Sequence, residues 1–335
     1  MKALRLKWVG QLELVDMAPP PVGDREMLIR TGAAVICTSD LNDIRENPFG
    51  TKLPVVMGHE GAGTVVQTGP GVKNFVPGDR IAAHPVHPCG KCETCRQGLG
   101  HLCPHMKHFG INMPGTFAEY FIVREDRARL IPETLGFASA ALAEPVCVCL
   151  EALAQAKLRP GNRLLIIGDG PFGILLARLA GLQNLSLVVL AGHHDYRLSR
   201  ANGAKTINTR RGLLVDLAKA QARGGEYDAI VVAAGSKEAV HDGLELLKPK
   251  GRLVIFAAIH DETPINLFKV LLRELEIVGA CNDQDRFDEA VRILSEPRLK
   301  PEELLSHRFQ LSDYQQAFQV AGHGHEGALK VAFEF

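Results

Sequence analysis

The sequence has no excess of either charge: 38 Lys and Arg balance 38 Asp and Glu over 335 residues. With no global field to draw it to nucleic acid or to an acidic membrane surface, neither is expected as a partner, and small-molecule chemistry becomes the default. Long apolar runs are missing too. None approaches the ~20 residues that cross a bilayer, and the opening MKALRLKWVGQLELVD lacks an apolar core followed by a small-residue cleavage site, so a cytoplasmic protein is expected. No internal repeat or low-complexity tract is visible. A disulfide framework is missing as well. Of eight cysteines, Cys89, Cys92, Cys95 and Cys103 crowd together while Cys37, Cys147, Cys149 and Cys281 are scattered, a distribution that points to metal rather than to cross-links.

What the chain does contain is enough apolar material, 46%, for two domains. Its texture changes near residue 150. Before that point short β-branched runs at 27–30, 63–67 and Arg80–Ala83 are separated by turn signals such as Pro77-Gly78-Asp79, which predicts β-rich, irregular structure. After it, strands at Arg163–Ile167, 186–190, 206–208, 229–233, 252–256 and Glu276–Gly279 alternate with helices at 171–182, 212–222 and 236–247. Such alternation packs as a parallel sheet with helices on both faces. Residues 286–295 read as helical and 328–333 as a terminal strand.

Cys89, Cys92, Cys95 and Cys103 follow the spacing C-x2-C-x2-C-x7-C, with Gly90, Gly98 and Gly100 letting the chain fold around one point. Four thiolates suit tetrahedral zinc in a closed site that orders a loop and leaves no position for substrate. An iron–sulfur site and unligated buried thiols are the rivals. His84, His87, His101, His105 and His108 lie nearby and are read as loop or surface histidines.

Strand 164–167 runs into Gly168-Asp169-Gly170-Pro171-Phe172-Gly173 and then a helix. A Gly-rich turn that ends a strand and opens a helix lets backbone approach a pyrophosphate, with helix amides as donors, so dinucleotide binding is expected at Gly168, Gly170, Pro171, Phe172 and Gly173. The next strand ends Leu190-Ala191-Gly192-His193-His194, without the acid that accepts the adenosine ribose of NAD; Asp195 comes late. His193, His194 and Arg197 would favour a 2′-phosphate, so the expectation leans to NADP over NAD.

The segment GHEGAGTVVQTGPGV, residues 58–72, resembles the zinc-site signature of zinc-dependent medium-chain dehydrogenases of the alcohol dehydrogenase superfamily, with His59-Glu60 and Gly58, Gly63 and Gly69 in register. Cys37, the four-cysteine loop, the Gly-rich turn and their order fit as well. The resemblance covers essentially the whole chain and is strongest to the sorbitol and threonine dehydrogenase branch. It implies an α/β protein: a GroES-like β-rich catalytic domain over 1–152, completed by 286–335, and a Rossmann doubly wound parallel-sheet domain over 153–285.

It also implies two zinc ions per chain and hydride transfer between the carbinol carbon of an alcohol, polyol or sugar-type substrate and NAD(P). By resemblance the catalytic zinc is held by Cys37, His59 and Glu144 of Glu144-Pro145, with water or substrate in the remaining position. Such a zinc lowers the pKa of a bound hydroxyl as hydride leaves. Glu60 matches a residue that lies near the metal and can exchange with its water. Asp40 matches the acceptor that fixes the tautomer of the ligand histidine, and Ser39 the hydroxyl that contacts the substrate oxygen and starts a proton relay. Taken alone, Ser39-Asp40 also reads as a helix cap. Cys147 and Cys149 are reserve ligands, because the alcohol dehydrogenase branch uses a second cysteine.

One departure is Asn42, where relatives often carry a histidine three residues after the relay hydroxyl; the relay beyond Ser39 stays unassigned. Ser39, Phe49, Phe109 and Cys281 align with a substrate pocket, and Ala233-Ala234-Gly235 and Phe256-Ala257-Ala258 with strand ends near the nicotinamide. A homo-oligomer, dimer or tetramer, is implied. The rival classes are a zinc-free NADPH reductase of enones or quinones, which has no use for Cys37, His59 and Glu144 together, and a non-catalytic dinucleotide-binding protein.

Overall fold

The segment Glu26–Ile36 alternates buried and part-exposed side chains and ends in a run buried on both faces, the pattern of a strand entering a core. In the computed structural model, which describes residues 1–322 and 327–335, it is the central strand of a seven-stranded sheet. Its first half pairs antiparallel with Tyr120–Arg124 and its last residues with Lys330–Glu334, while Glu60–Thr68 runs antiparallel along its other edge. Arg80–Ala83 and Ala128–Leu130 extend the sheet on one side and Leu305–Gln310 on the other. Leu4, Ile36, Met57, Phe117, Val331 and Phe333 share one apolar core on this sheet; Met27, Ile29, Ile81, Phe109 and Phe121 share a second.

This sheet belongs to a unit made of Met1–Cys147, Gln284–Glu296 and Lys300–Phe335. The strand at the end of the chain is therefore built into the sheet of the first 130 residues. Val148–Asp283 with Pro297–Leu299 forms the other unit. The chain passes between them inside the helix Ala143–Gln155, a few residues before the boundary expected at 152. Against the expectation that no apolar run approaches a bilayer's thickness, this helix with Phe137–Ala141 makes a 19-residue stretch with the length and composition to cross a membrane, but 83% of its 18-residue apolar window is buried within the fold, the mark of a core helix.

In the second unit six strands follow one another: β1 (Arg163–Ile167), β2 (Leu187–Gly192), β3 (Lys205–Asn208), β4 (Tyr227–Val232), β5 (Leu247–Ile255) and β6 (Glu276–Gly279). All pair in parallel, in the order β3-β2-β1-β4-β5-β6. RLLII, LVVLAG and YDAIVV are nearly continuous apolar runs because both faces of a parallel sheet are covered. The helices α1 (Pro171–Gly181), α2 (Asp195–Leu198), α3 (Leu214–Gln221), α4 (Lys237–Leu246) and α5 (Leu267–Arg273) connect them. Leu165, Val189, Ile230, Leu244 and Leu253 meet in the core of this unit. The strand order reverses beside β1, the switch point at which such sheets bind dinucleotides.

Candidate active site and cofactor turn

Strand register brings together side chains far apart in sequence. Cys37 follows directly on Glu26–Ile36; Glu60 opens the neighbouring strand opposite Val35; and on the other side Val331 lies opposite Ile36, which puts Lys330 at the same end. Cys37, His59 and Glu60 are buried, with ligand atoms all within 4.8 Å of one another. Gly58 makes the turn possible. Its φ is +92°, and a Cβ there would lie 2.4 Å from the Phe117 ring, so a side chain just before His59 would be both strained and blocked.

Asp40 has two tasks. Oδ2 accepts from the Cys37 N–H at 2.9 Å and closes the first turn of helix Thr38–Arg45, while Oδ1 lies 3.3 Å from His59 Nδ1. The helix-cap reading and the histidine-orienting reading thus describe one carboxylate. Burial works against a charge on the His59 ring, yet the Asp40 carboxylate and a hydrogen bond with Cys37 raise its pKa well above the usual histidine value. Ser39 Oγ sits 3.3 Å from Nε2, the nitrogen left over for a metal. His108 stacks at a tilt 5.7 Å from His59, and burial together with the His59 charge pushes it down to about 3, so it is neutral.

Sequence reasoning missed Lys330. Its ammonium donates to Glu60 Oε1, with the two side chains 5% and 0% exposed. Burial disfavours its charge, but Glu60, Cys37 and Glu144 together raise its pKa. No local pattern marks it, because it reaches the site only through strand pairing. Glu144 is buried in the first turn of Ala143–Gln155 and lies outside the Cys37–His59–Glu60 cluster. Cys147 and Cys149 are fully buried.

The donor set fits zinc. It offers a thiol, an imidazole fixed through its other nitrogen, and a buried carboxylate whose Oε2 accepts no hydrogen bond from any described residue. Buried lone pairs of that kind are ordinarily satisfied, and a cation would satisfy these.

Cys89, Cys92, Cys95 and Cys103 form a second cluster, again within 4.8 Å, and all are free of disulfides. Sulfurs of Cys89 and Cys95 lie 3.9 Å apart and those of Cys92 and Cys103 3.7 Å. Backbone N–H groups of Cys89, Cys92, Cys95 and His105 point at the sulfurs from 3.3 to 3.5 Å. Amides of Lys91 and Cys92 hold Cys89 down at about 6, whereas desolvation and the neighbouring sulfurs push Cys95 up to about 12. Held as four thiolates these sulfurs would need a cation, and a set of four cysteine ligands fits zinc. His84 and His87, expected on loops or at the surface, are instead buried; His84 packs edge-on against Phe287, and burial lowers His87 to about 3.

Of the residues aligned with a substrate pocket, Phe49 is largely exposed and Cys281 exposed on the second unit. Phe109 is fully buried against His87 and Phe121, so it packs the core and offers a substrate no surface.

The Gly-rich turn separates its glycines by task. Gly168 has φ +125°, and a Cβ there would meet the Ala233–Ala234 backbone at 2.8 Å; at Gly173 it would lie 1.8 Å from the Gly168 carbonyl oxygen. Those two are required by the fold. Gly170 has nothing within 4 Å of such a Cβ, and as N-cap of α1 it leaves the first amides without a side-chain partner, with Pro171 at the first turn. Open space in front of uncapped helix amides fits a pyrophosphate. His193 and His194 follow β2, and Arg197 is in α2.

A β-rich unit bearing a buried thiol–imidazole–carboxylate cluster, joined to a Rossmann sheet, is the build of a metal-dependent dehydrogenase. Comparison with known proteins narrows it. Residues 23–133 match the alcohol dehydrogenase GroES-like domain and residues 170–296 the zinc-binding dehydrogenase domain. Sorbitol dehydrogenase of Bombyx mori is 30% identical over 97% of this chain and 96% of its own. A zinc-binding dehydrogenase from Sinorhizobium meliloti 1021 bound to NADP is 28% identical, covering all of this chain and 99% of its own at a TM-score of 0.94. An alcohol dehydrogenase from Escherichia coli CFT073 complexed with NADH gives 26%, the same coverage and 0.94. The chain belongs to the zinc-dependent medium-chain dehydrogenases of the alcohol dehydrogenase superfamily. It is an NAD(P)-dependent dehydrogenase acting on CH–OH groups.

Proposed function

We propose that the chain interconverts a secondary carbinol of a polyol, or of a similarly hydroxylated small molecule, with the matching ketone. Catalytic zinc is assigned to Cys37, His59 and a carboxylate, Glu144 or Glu60, and a structural zinc to Cys89, Cys92, Cys95 and Cys103. The observation that carries this reading is the buried cluster of Cys37, His59 and Glu60 within 4.8 Å, with Asp40 on the far nitrogen of His59. The sorbitol dehydrogenase relative supports the polyol class. A zinc-free reductase or a merely dinucleotide-binding protein would leave that cluster without a purpose.

When bound, zinc supplies the Lewis acidity that lowers a hydroxyl pKa, and the nicotinamide supplies the hydride acceptor. The chain supplies position. Cys37 and His59 would hold the metal; Asp40 occupies Nδ1 of His59, which would leave Nε2 as the ligand atom; Ser39 Oγ, 3.3 Å from Nε2, is placed to accept the substrate hydroxyl proton. Lys330 holds Glu60 by Oε1, and Oε2, which no described residue bonds, would be available to a metal. Gly168, Gly170, Pro171, Phe172 and Gly173 receive the pyrophosphate, and the choice between NAD and NADP falls to the residues after β2.

Self-association belongs to the same reading. Leu267, Phe268, Leu271 and Leu272 of α5 are each 67% to 73% exposed, together roughly 500 Å² of apolar surface, the size at which a patch marks a protein contact. Lys269 and Arg273 beside them are already paired with Glu245 and Glu226, so the face carries little free charge for an acidic partner. Free cysteines arranged as metal ligands suit a reducing compartment, which supports the cytoplasm.

The test is to determine zinc per chain and to follow NAD and NADP reduction against polyols, hydroxy amino acids and secondary alcohols, with Cys37→Ser alongside. Near two zinc ions, falling by one in the variant with loss of turnover, supports the assignment. One zinc, retained in a variant of unchanged activity, overturns it.

A further inference from the structure

The second strand of the Rossmann sheet ends without an acid, but the space of that missing side chain is filled. A Cβ built on Gly192 would lie 2.2 Å from the Asp169 Cβ, 2.4 Å from its Cγ and 2.5 Å from its Oδ2. Asp169 is the residue between the first two glycines of the turn, and it reaches across from β1 to the end of β2. Its Oδ2 accepts from the backbone N–H groups of both His193 and His194 at 2.7 Å. The His194 ring nitrogen Nδ1 lies 3.2 Å from Oδ2 and 3.4 Å from Oδ1. Asp169 is buried, with 6% of its surface exposed.

Two consecutive amides converging on one oxygen make an anion seat. In a Rossmann sheet this seat is at the ribose end of the cofactor, where an acid reads the 2′-hydroxyl or basic groups hold a 2′-phosphate. Here the seat is taken by a group of the chain itself. An incoming 2′-phosphate would have to displace a buried carboxylate from two hydrogen bonds and would meet like charge at the same point, whereas a ribose hydroxyl can donate to the remaining lone pairs of Oδ1. The His194 ring, which could have met a phosphate, is turned onto Asp169. The His193 ring lies 2.7 Å from the hydroxyl of Thr209.

We infer that Asp169 is the cofactor-specificity residue of this chain: it stands in for the acid absent from the end of β2, reads the adenosine ribose hydroxyls, and selects NAD(H) against NADP(H). This rests on the dehydrogenase reading above. It reverses the lean to NADP drawn from His193, His194 and Arg197, because the amides and one ring of that segment are engaged by an acid from the turn after β1.

The test is calorimetric: dissociation constants of NADH and NADPH for the zinc-loaded full chain and for Asp169→Asn, Asp169→Ala, Gly192→Asp and the double variant Asp169→Ala/Gly192→Asp, with thermal unfolding of each. Wild type should favour NADH, and Asp169→Asn, which keeps the shape and removes the charge, should move the ratio toward NADPH by about tenfold or more, the size of one charge-assisted contact. Gly192→Asp alone should unfold at lower temperature, since its Cβ has no room, and the double variant should regain both stability and the preference for NADH. Wild type favouring NADPH, or a ratio unmoved within about twofold in variants that still bind, overturns the assignment and leaves Asp169 a cap of the turn. Wild type binding neither dinucleotide would overturn the dehydrogenase reading itself, and this inference with it.

Discussion

Lys330 and Glu60 form a buried ion pair, and Glu60 lies beside Cys37 and His59 in the cluster assigned to zinc. Removing one partner of a buried pair leaves an uncompensated charge, which costs about 3–5 kcal/mol. Lys330→Met should therefore lower the unfolding temperature strongly in chelator, and less in zinc, which offers Glu60 another cation. Lys330→Met/Glu60→Gln should recover most of the loss. Equal destabilisation with and without zinc would separate Glu60 from the metal.

Asp40→Asn keeps an oxygen for the Cys37 N–H but removes the charge facing His59. Zinc affinity at the catalytic site should fall by about 10–100-fold, with the fold little changed. Asp40→Ala should lose roughly 1 kcal/mol of helix capping in addition. Competition with a chromogenic chelator, read beside thermal unfolding, distinguishes the two.

The glycines of the cofactor turn should part company. Gly173→Ala places a methyl 1.8 Å from a carbonyl oxygen and should destabilise the protein. Gly170→Ala meets no atom within 4 Å and has φ −68°, so it should fold normally and bind dinucleotide at least about tenfold more weakly. Cofactor titration and unfolding temperature should respond in opposite variants. Weak binding in neither would remove the turn from the cofactor site.

Cys103→Ser should lose one zinc and loosen the loop 89–103, seen as faster amide exchange there, while leaving the zinc assigned to Cys37. Two metals released together would show that the sites are not independent.

Phe268→Glu with Leu271→Glu should shift the chain toward monomer in sedimentation, because each puts a charge on the apolar face of α5. An unchanged sedimentation coefficient would show that this face is not the contact.

Much of this was legible because the signals are local. LLII and LVVL can be nothing but buried strands in this setting, the turn at 168–173 carries its own geometry, and four cysteines at close spacing find one another without help from the rest of the fold. Lys330 gave no such signal, since its place is set by a strand pairing and not by its neighbours in sequence. Asp169 carries no such signal either: an acid beside the end of β2 is expected from β2 itself, whereas here the side chain comes from the turn that follows β1. His87, expected on a loop or at the surface, lies in the short strand Val86–His87 and is buried, because polarity in an irregular segment predicts exposure only where the segment does not pass through a core.

The strand Lys330–Glu334 pairs with Glu26–Ile36, and Lys330 meets Glu60 across 270 positions of chain. During synthesis the Cys37–His59–Glu60 constellation is thus translated long before its counter-cation exists. The strand that carries Lys330 inserts between Glu26–Ile36 and Leu305–Gln310, so joining those two strands and neutralising Glu60 are one event. Pairing of Glu60 with Lys330 therefore waits on a segment 270 positions further along the chain, a contact of high sequence separation.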